Sequence, residues 1–167
     1  MGASTGSEAS VLVLRPFRVR IMAPIFAAGL SGLYVLGWFA LPRDYTAEVN
    51  LSQILTLLAI LFFFVGALVA LAACRVRADA DGLSIRNGLR TYVVPWDRVH
   101  KFLLRPGDPW ASVLLRPETG EFEVDLDAEK RSLMGIQASD GRRARDAVTQ
   151  LRRRHAEWLA VSRSRGT

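Results

Sequence analysis

Two long runs without a charged side chain constrain this chain more than any other feature of its sequence. They cover residues 21–41 and 51–74, and they are apolar all round rather than on one face. The hydrocarbon core of a bilayer is about 30 Å thick and a helix rises about 1.5 Å per residue, so roughly 20 apolar residues cross it. Both runs reach that length. The sequence therefore predicts two transmembrane helices within residues 15–74.

The ends of both runs raise the alternative of proteolytic processing. A signal-peptide cleavage site needs small residues, whereas the first run ends with bulky Trp38, Phe39 and Leu41. The second run ends in Leu71-Ala72-Ala73-Cys74, which resembles the lipobox of bacterial lipoproteins. That signal belongs near the N-terminus, and here a complete apolar run precedes it. We expect the first helix to be retained and Cys74 to be an ordinary buried thiol.

The basic residues that flank the two runs predict the orientation in the membrane, because such residues stay on the cytoplasmic side. The flanking arginines are Arg15, Arg18, Arg20, Arg75 and Arg77, whereas the segment 42–50 between the runs has only Arg43. The sequence therefore predicts a two-span membrane protein with both termini in the cytoplasm.

Small residues recur four apart in each run, at Ala28 and Gly32 and at Gly66 and Ala70. Such spacing lets helix backbones approach closely. Two interpretations remain open: these faces meet inside one helical hairpin, or one of them packs on another membrane protein. Because neither run contains an ionisable Asp, Glu, Lys, Arg or His side chain, nothing predicts an ion or proton pathway.

From Arg75 onward, short apolar runs alternate with turn signals. Asp81-Gly82 and Asn87-Gly88 are strong hairpin signals, because the favoured two-residue turns need positive φ. The pattern predicts six to seven antiparallel strands, at about 75–79, 83–86, 89–94, 99–104, 111–116, 121–125 and, more weakly, 131–137.

After Ser139-Asp140, which suit a helix N-cap, the periodicity becomes helical. An apolar stripe is formed by Ala144, Ala147, Val148, Leu151, His155, Trp158 and Leu159. Arginines fill the opposite face. The sequence predicts an amphipathic helix of roughly 20 residues whose apolar face covers the preceding strands.

Strands closed off by one C-terminal helix are the plan of a pleckstrin-homology (PH) barrel. Asp81-Gly82-Leu83 in a hairpin, followed by Val94-Pro95-Trp96, resembles the opening of bacterial PH-like domains. Two spans before such a domain are similar to small actinobacterial membrane proteins, including the mycobacterial low-molecular-weight protein antigen family. The resemblance implies a membrane helical hairpin followed by a mainly-β PH-like barrel. The arginine-rich, lysine-poor composition, with 20 Arg and 2 Lys, fits such a source.

The expected organisation has four parts. Residues 1–14 form a disordered N-terminal tail, and residues 15–74 hold the two transmembrane helices, at about 21–41 and 51–74. Residues 75–162 form the cytoplasmic PH-like domain, and residues 163–167 form a tail.

No motif in the chain predicts catalysis, so we expect no catalytic residue, no cofactor and no metal site. His100 lies within a predicted strand, and His155 lies on the apolar stripe, where a packing role is usual. The sequence has no His/Cys cluster at zinc spacing, no Gly-rich phosphate loop and no nucleophile elbow.

The candidate interaction residues are Arg142, Arg143 and Arg145 on the helix and Trp110 in the Pro-Gly-Asp-Pro-Trp loop. Nucleic acid is not an expected partner, because the segment 75–167 carries 18 basic and 13 acidic residues and no recognised DNA-binding motif. For a domain beneath a membrane, anionic lipid headgroups are a nearer polyanion than nucleic acid. Eukaryotic PH domains bind phosphoinositides through a basic first loop, whereas the resembling loop here is Ala80-Asp81-Gly82. The acidic stretch 118–129 predicts either a solvated strand face or a contact for a basic partner.

Three functions remain open for this sequence. The first is a non-enzymatic, membrane-anchored interaction or scaffold protein at the inner leaflet, with other membrane or membrane-associated proteins as partners. The second is an accessory subunit of a larger envelope or respiratory membrane complex, in which the helices contact the partner. The third is a sensor that binds anionic lipids.

Overall fold

The computed structural model describes residues 11–117 and 129–165. The chain forms two compact units. One contains Phe17–Ala73, and the other combines the N-terminal segment up to Pro16 with the chain from Cys74 onward. The second unit is thus assembled from two segments that the apolar helices separate in sequence.

The helical unit contains three helices: α1 (Phe17–Ala40), α2 (Arg43–Glu48) and α3 (Leu51–Ala72). Helix α3 begins where the sequence predicts it, because Asn50 and Gln53 form a capping box. The Asn50 side chain accepts from the Gln53 backbone N–H at 3.0 Å, and the Gln53 side chain accepts from the Asn50 N–H at 3.0 Å. Helix α1 begins four residues earlier than expected, directly after the buried Pro16, so Arg18 and Arg20 lie inside it.

Helices α1 and α3 pack against each other along stripes of half-buried residues spaced three and four apart. The stripe on α1 is Ala27, Ser31, Tyr34 and Trp38, and that on α3 is Ile54, Leu58, Leu61, Val65 and Leu68. Large apolar side chains cover the other faces, and Phe39 and Phe63 are 81% and 71% exposed. Core helices of a water-soluble protein would bury such residues. Both helices are long and apolar enough to cross a membrane, which suggests membrane association.

The second unit contains seven strands and one long helix in the described residues. The strands are β1 (Leu12–Leu14), β2 (Arg75–Ala78), β3 (Gly82–Asn87), β4 (Arg90–Pro95), β5 (Val99–Leu103), β6 (Trp110–Leu115) and β7 (Glu129–Gln137), and the helix is α4 (Arg142–Arg165). All described strand pairs are antiparallel. They form a four-stranded sheet of order β1-β2-β3-β4 and a three-stranded sheet of order β5-β6-β7. The predicted strand at 121–125 lies outside the described residues.

Strand β1 corrects the expectation of a disordered tail over residues 1–14, at least for its last residues. Leu14 pairs with Val76 and Leu12 with Ala78, and both leucine side chains pack on the hydrophobic core. Three alternating residues are too weak a pattern to predict a strand alone. They are ordered here because β2 offers them a free edge.

The expected barrel is wrong in one respect: within residues 11–117 and 129–165, the two sheets are not closed into a barrel. Strand β1 occupies the outer edge of β2, so that edge is not free to pair with β7. Between β4 and β5, a 3₁₀ turn at Trp96–Arg98 redirects the chain, and Trp96 is buried there with its indole Nε1 donating to the Asp79 carbonyl at 2.9 Å. The sheets instead pack on each other over one apolar core, as layers of a sandwich do.

Strand β7 crosses close to the first sheet at Gly135. A Cβ at that position would lie 2.8 Å from the Val76 nitrogen and 2.9 Å from the Arg75 Cα, so only glycine fits. Asn87, at the end of β3, also joins the sheets: its amide donates to the Ser132 carbonyl at 2.7 Å and accepts from the Met134 N–H at 3.2 Å. These contacts replace the backbone ladder that a barrel would have at this corner.

Helix α4 covers the core as the apolar stripe predicts. Ala144, Ala147, Val148, Leu151 and His155 are buried, and Trp158 is half-buried. The helix continues to Arg165, three residues into the expected tail of 163–167. Arginines in its last turn, Arg163 and Arg165, suit the negative end of the helix dipole.

Candidate functional site: a groove between β5 and α4

An open groove of about 440 Å³ lies between strand β5 and helix α4. Strand β5 contributes His100, Lys101, Phe102 and Leu103, and α4 contributes Arg152, His155, Ala156 and Leu159. Among the strands that the structure describes, β5 pairs with β6 alone and so lies at the edge of its sheet. The groove therefore has one wall from the edge of a sheet and one from a helix.

Arg152 fixes the helix wall against the strand wall. Its guanidinium donates to the Phe102 carbonyl from Nη2 at 2.8 Å and from Nε at 3.3 Å. A backbone acceptor at a sheet edge is thus paired with a side chain from α4. This contact protects the edge from adventitious strand pairing and leaves a groove beside it.

His155 lies at the base of the groove inside an aromatic cluster. Its ring stacks on Trp96 with centroids 5.8 Å apart and on Trp158 at 6.5 Å, while Phe102 meets it edge-on at 6.2 Å. The residue is 8% exposed, and its Nε2 has no hydrogen-bond partner among the described residues. The expected packing role agrees with this environment.

Burial lowers the pKa of the His155 imidazole below its usual value. A hydrogen bond with the Trp96 backbone opposes that effect, and the positive charge of Arg116 and the neighbouring His100 add to the lowering. The imidazole is therefore neutral at physiological pH. An uncharged Nε2 is a hydrogen-bond acceptor at the base of an otherwise apolar wall.

The rim of the groove is basic. Lys101 is exposed, and His100 sits at an irregularity of β5, where the register shifts between Val99 and Lys101. Burial and the charges of Arg116 and Lys101 lower the pKa of His100, so this rim histidine is mainly neutral too. The fixed positive charge at the rim comes from Lys101 and Arg152.

The structure does not bring the predicted arginines to this groove. Arg142, Arg143 and Arg145 are exposed in the first turns of α4, and Arg142 lies ten residues, or about 15 Å, before Arg152 along the helix. Their charges lie at the helix end where the macrodipole disfavours cations. Other arginines of α4 bind the sheets instead, as Arg152 does.

Trp110 is half-buried at the start of β6, where it pairs with Gln137 of β7. It lies outside the groove, next to a turn closed by the Ala138 N–H donating to the Pro109 carbonyl at 3.0 Å. Its role as an interaction residue stays a prediction.

The predicted small-residue faces are not the stripes on which α1 and α3 pack. Ala28, Gly32 and Gly66 are exposed and Ala70 is half-buried. A Cβ added at Gly32 or Gly66 would meet nothing within 4 Å. Close approach of another backbone therefore does not occur at these glycines.

Within residues 11–117 and 129–165, no group of three or more His, Cys, Asp or Glu side chains is arranged to hold a metal ion. Cys74 is buried as expected, and its Sγ accepts from the Gly88 N–H at 3.1 Å. The acidic residues 118–128, expected as a strand face, lie outside the described residues.

The groove was missed by the sequence analysis. His155 and Leu159 were identified as part of the helix stripe, but the strand wall depends on which edge of the second sheet meets α4. The one available signal was a histidine inside an apolar stripe, which sequence reasoning interprets as packing.

Comparison with known proteins identifies the second unit. Residues 73–154 match the family described as Bacterial PH domain. That range begins one residue before Cys74, where the second unit resumes, and it includes β2 to β7 and the first half of α4. None of the curated proteins and none of the solved structures compared with this chain matches it. The chain thus carries a bacterial PH domain, built from antiparallel sheets and a C-terminal helix, after two helices long and apolar enough to cross a membrane.

Proposed function

We propose that this chain is a non-enzymatic, membrane-anchored interaction protein whose PH domain binds a protein partner through the groove between β5 and α4. The observation that carries the proposal is the groove itself. It combines an apolar floor at Phe102, Leu103 and Leu159 with a basic rim at Lys101 and Arg152. A partner segment with apolar side chains flanked by acidic ones would match both features.

The proposed anchor is a pair of helices that span a bacterial plasma membrane, with both termini in the cytoplasm. Helices α1 and α3 have the length, and the flanking arginines have the distribution, that this topology needs. We also propose an actinobacterial source for this protein. A helical hairpin followed by a bacterial PH domain, in an arginine-rich chain, favours a relative of the actinobacterial two-span proteins and their low-molecular-weight antigen family.

A binding role rather than catalysis agrees with the chemistry of the groove. His155 is enclosed by aromatic rings, and Lys101 and Arg152 are the charged groups at the rim. A general base would need a nucleophile within hydrogen-bonding reach. Neither the groove lining nor the sequence supplies one with a supporting motif.

Co-purification from native membranes in mild detergent tests the proposal. Ala156→Arg places a long charged side chain in the groove, whereas Gln150→Arg adds the same side chain on an exposed part of α4 outside it. We expect the first variant to lose the bound partner and the second to retain it. Both residues are exposed, so the fold should tolerate either change.

An accessory subunit of a larger membrane complex is the second candidate function. It is favoured by the exposure of Ala28, Gly32 and Gly66 on faces that α1 and α3 do not use for each other. In this case Gly32→Leu with Gly66→Leu would remove the partner while Ala156→Arg retains it. If the partner is lost only when Arg142→Glu, Arg143→Glu and Arg145→Glu are combined, these exposed arginines of α4 form the binding surface instead. If every variant retains every partner, the interaction proposal fails.

A further inference from the structure

Both connections between the PH domain and the apolar helices leave the four-stranded sheet at the same end. Strand β1 ends at Leu14 and α1 begins at Phe17, while α3 ends at Ala72 and β2 begins at Arg75. Leu14 lies opposite Val76 in the sheet. Each link is two residues long, and a residue spans at most about 3.6 Å. If the helices cross the bilayer, this end of the sheet is the end held at the bilayer surface.

The turn between β3 and β4 lies at that same end. Arg75 pairs with Arg86, and Asn87 pairs with Arg90 across the turn. The Gly88 N–H donates to the Sγ of Cys74, which belongs to the link from α3. The Asn87 side chain, bonded to Ser132 and Met134, fixes the other side of the turn. The turn is therefore hydrogen-bonded on one side to the link from α3 and on the other to β7.

Leu89 projects from this turn and is 88% exposed. It follows Gly88, whose φ of 62° is the positive value that a type II′ turn requires at its first central position. A single exposed leucine is ordinary on a protein surface. This one lies at the tip of the turn, at the end of the sheet from which both links to the helices leave.

Four arginines lie at the same end of the sheet as Leu89: Arg15, Arg75, Arg86 and Arg90. Arg75 and Arg86 face each other directly in the register, and like charges opposite each other disfavour strand pairing. In the part of the chain that the structure describes, no carboxylate forms an ion pair with any of the four. An external anion would relieve this repulsion.

The opposite end of the sheet has the opposite character. The turn between β2 and β3 carries Asp79 and Asp81, and Asp79 pairs with Arg77 at 3.4 Å. The sheet is thus basic and apolar-tipped at one end and acidic at the other, about 20 Å away along the six residues of β3. Such polarity would orient the domain at a negatively charged surface.

We propose that Arg15, Arg75, Arg86, Leu89 and Arg90, here called the arginine rim, dock on the anionic lipid surface of the bilayer in which the chain is anchored. Leu89 inserts among the headgroups, and the arginines bind lipid phosphates. The inference rests on the proposed membrane anchoring. Its consequence is that the PH domain is held in one orientation, with the acidic end of the sheet directed away from the membrane.

Fluorescence quenching in reconstituted vesicles tests the docking. The full-length chain with Cys74→Ser, which retains an acceptor for Gly88, receives one cysteine by Leu89→Cys or, as the matched control at the other end of β3, by Ala80→Cys. Each is labelled with an environment-sensitive dye and reconstituted into vesicles of phosphatidylcholine alone or an equal mixture with phosphatidylglycerol. Spin-labelled headgroups serve as the quencher.

We expect strong quenching and a blue shift for the dye at position 89 in the anionic vesicles and neither effect at position 80. Arg75→Gln with Arg90→Gln should reverse the shift at position 89, because each arginine near an anionic surface strengthens binding by about fivefold. Equal quenching at positions 89 and 80, or none at either, would overturn the docking. Equal quenching of position 89 in both vesicle types would overturn the assignment to anionic lipid.

The same samples separate failure of docking from failure of anchoring. Alkaline extraction of the vesicles removes peripheral proteins and leaves membrane-spanning ones. A chain that is extracted contradicts the proposed anchoring. A chain that resists extraction but shows no quenching at position 89 contradicts the arginine rim alone.

Discussion

At the scale of single residues, His155 shows how one side chain serves the core and the groove at once. It lies between Trp96 and Trp158, it is buried, and its neutral form is favoured by that burial. An unfolded chain exposes the same imidazole to water, where it takes up a proton near pH 6.5. The unfolded state therefore binds more protons than the folded state below that pH.

This difference predicts a pH-dependent stability of the PH domain. Because the folded pKa of His155 is lowered, stability should be level above about pH 6.5 and fall as the pH decreases below it. His155→Phe keeps an aromatic ring and removes the titration, so its stability should change much less over the same range. Thermal unfolding of the purified chain in detergent, followed by tryptophan fluorescence between neutral and mildly acidic pH, measures the effect.

His100→Gln is the control for the other histidine at the groove. His100 is less buried than His155, so this variant should retain most of the decrease in stability. If His155→Phe loses stability on acidification as steeply as the native chain, another group carries the effect.

At the scale of elements, helix α4 is held by its apolar stripe and by side-chain bonds to the sheets. Leu151 is completely buried in the core, whereas Trp158 is only half-buried and stacks on His155. The apolar stripe predicts that both side chains are buried against the sheets, whereas in the structure only Leu151 is fully buried. Arg152, on the face that periodicity assigns to solvent, bonds the Phe102 carbonyl.

Leu151→Ala should therefore lower the free energy of unfolding by about 2–5 kcal/mol, as loss of a buried leucine usually does. Trp158→Ala should lower the free energy of unfolding by less than the loss of a fully buried aromatic side chain does. Gln150→Ala, at an exposed neighbouring position, should change stability by less than about 0.5 kcal/mol. Chemical denaturation monitored by near-ultraviolet circular dichroism compares the three variants. Equal losses for Leu151→Ala and Gln150→Ala would contradict the placement of the helix.

At the scale of the whole molecule, the proposed topology places the PH domain and both termini on the cytoplasmic side. Cysteines at Tyr45, in α2 between the long helices, and at Ser164, near the end of α4, report on opposite sides. In a Cys74→Ser background, Tyr45→Cys should react with a membrane-impermeant thiol reagent in intact cells, and Ser164→Cys should react only after lysis. The reverse result would contradict the proposed orientation, and lipoprotein processing at Cys74 would have to be considered again.

The local sequence determined those features whose energetics are local. Charge-free runs at 21–41 and 51–74 predicted the two long helices because a bilayer or a core requires uniform apolarity over that length. Asn87-Gly88 predicted a hairpin because the turn needs positive φ, and Gly88 has it. Asp81-Gly82 also marks a hairpin, but for a different reason: Gly82 begins β3 without positive φ, and a Cβ there would overlap the Val94 carbonyl oxygen. The stripe from Ala144 to Leu151 predicted the helix that covers the sheets, and its burial confirms it.

Only the tertiary structure decided the features that depend on partners distant in sequence. Leu12–Leu14 became a strand because β2, which follows both long helices in the chain, offered an edge, and the same pairing left the sheets unclosed. The groove required β5 to be an edge strand facing α4. The arginine rim required five residues from three segments of the chain to meet at one end of a sheet. A three-residue strand and single arginines have no periodicity of their own. Their positions are set by contacts that form only when the whole domain is assembled.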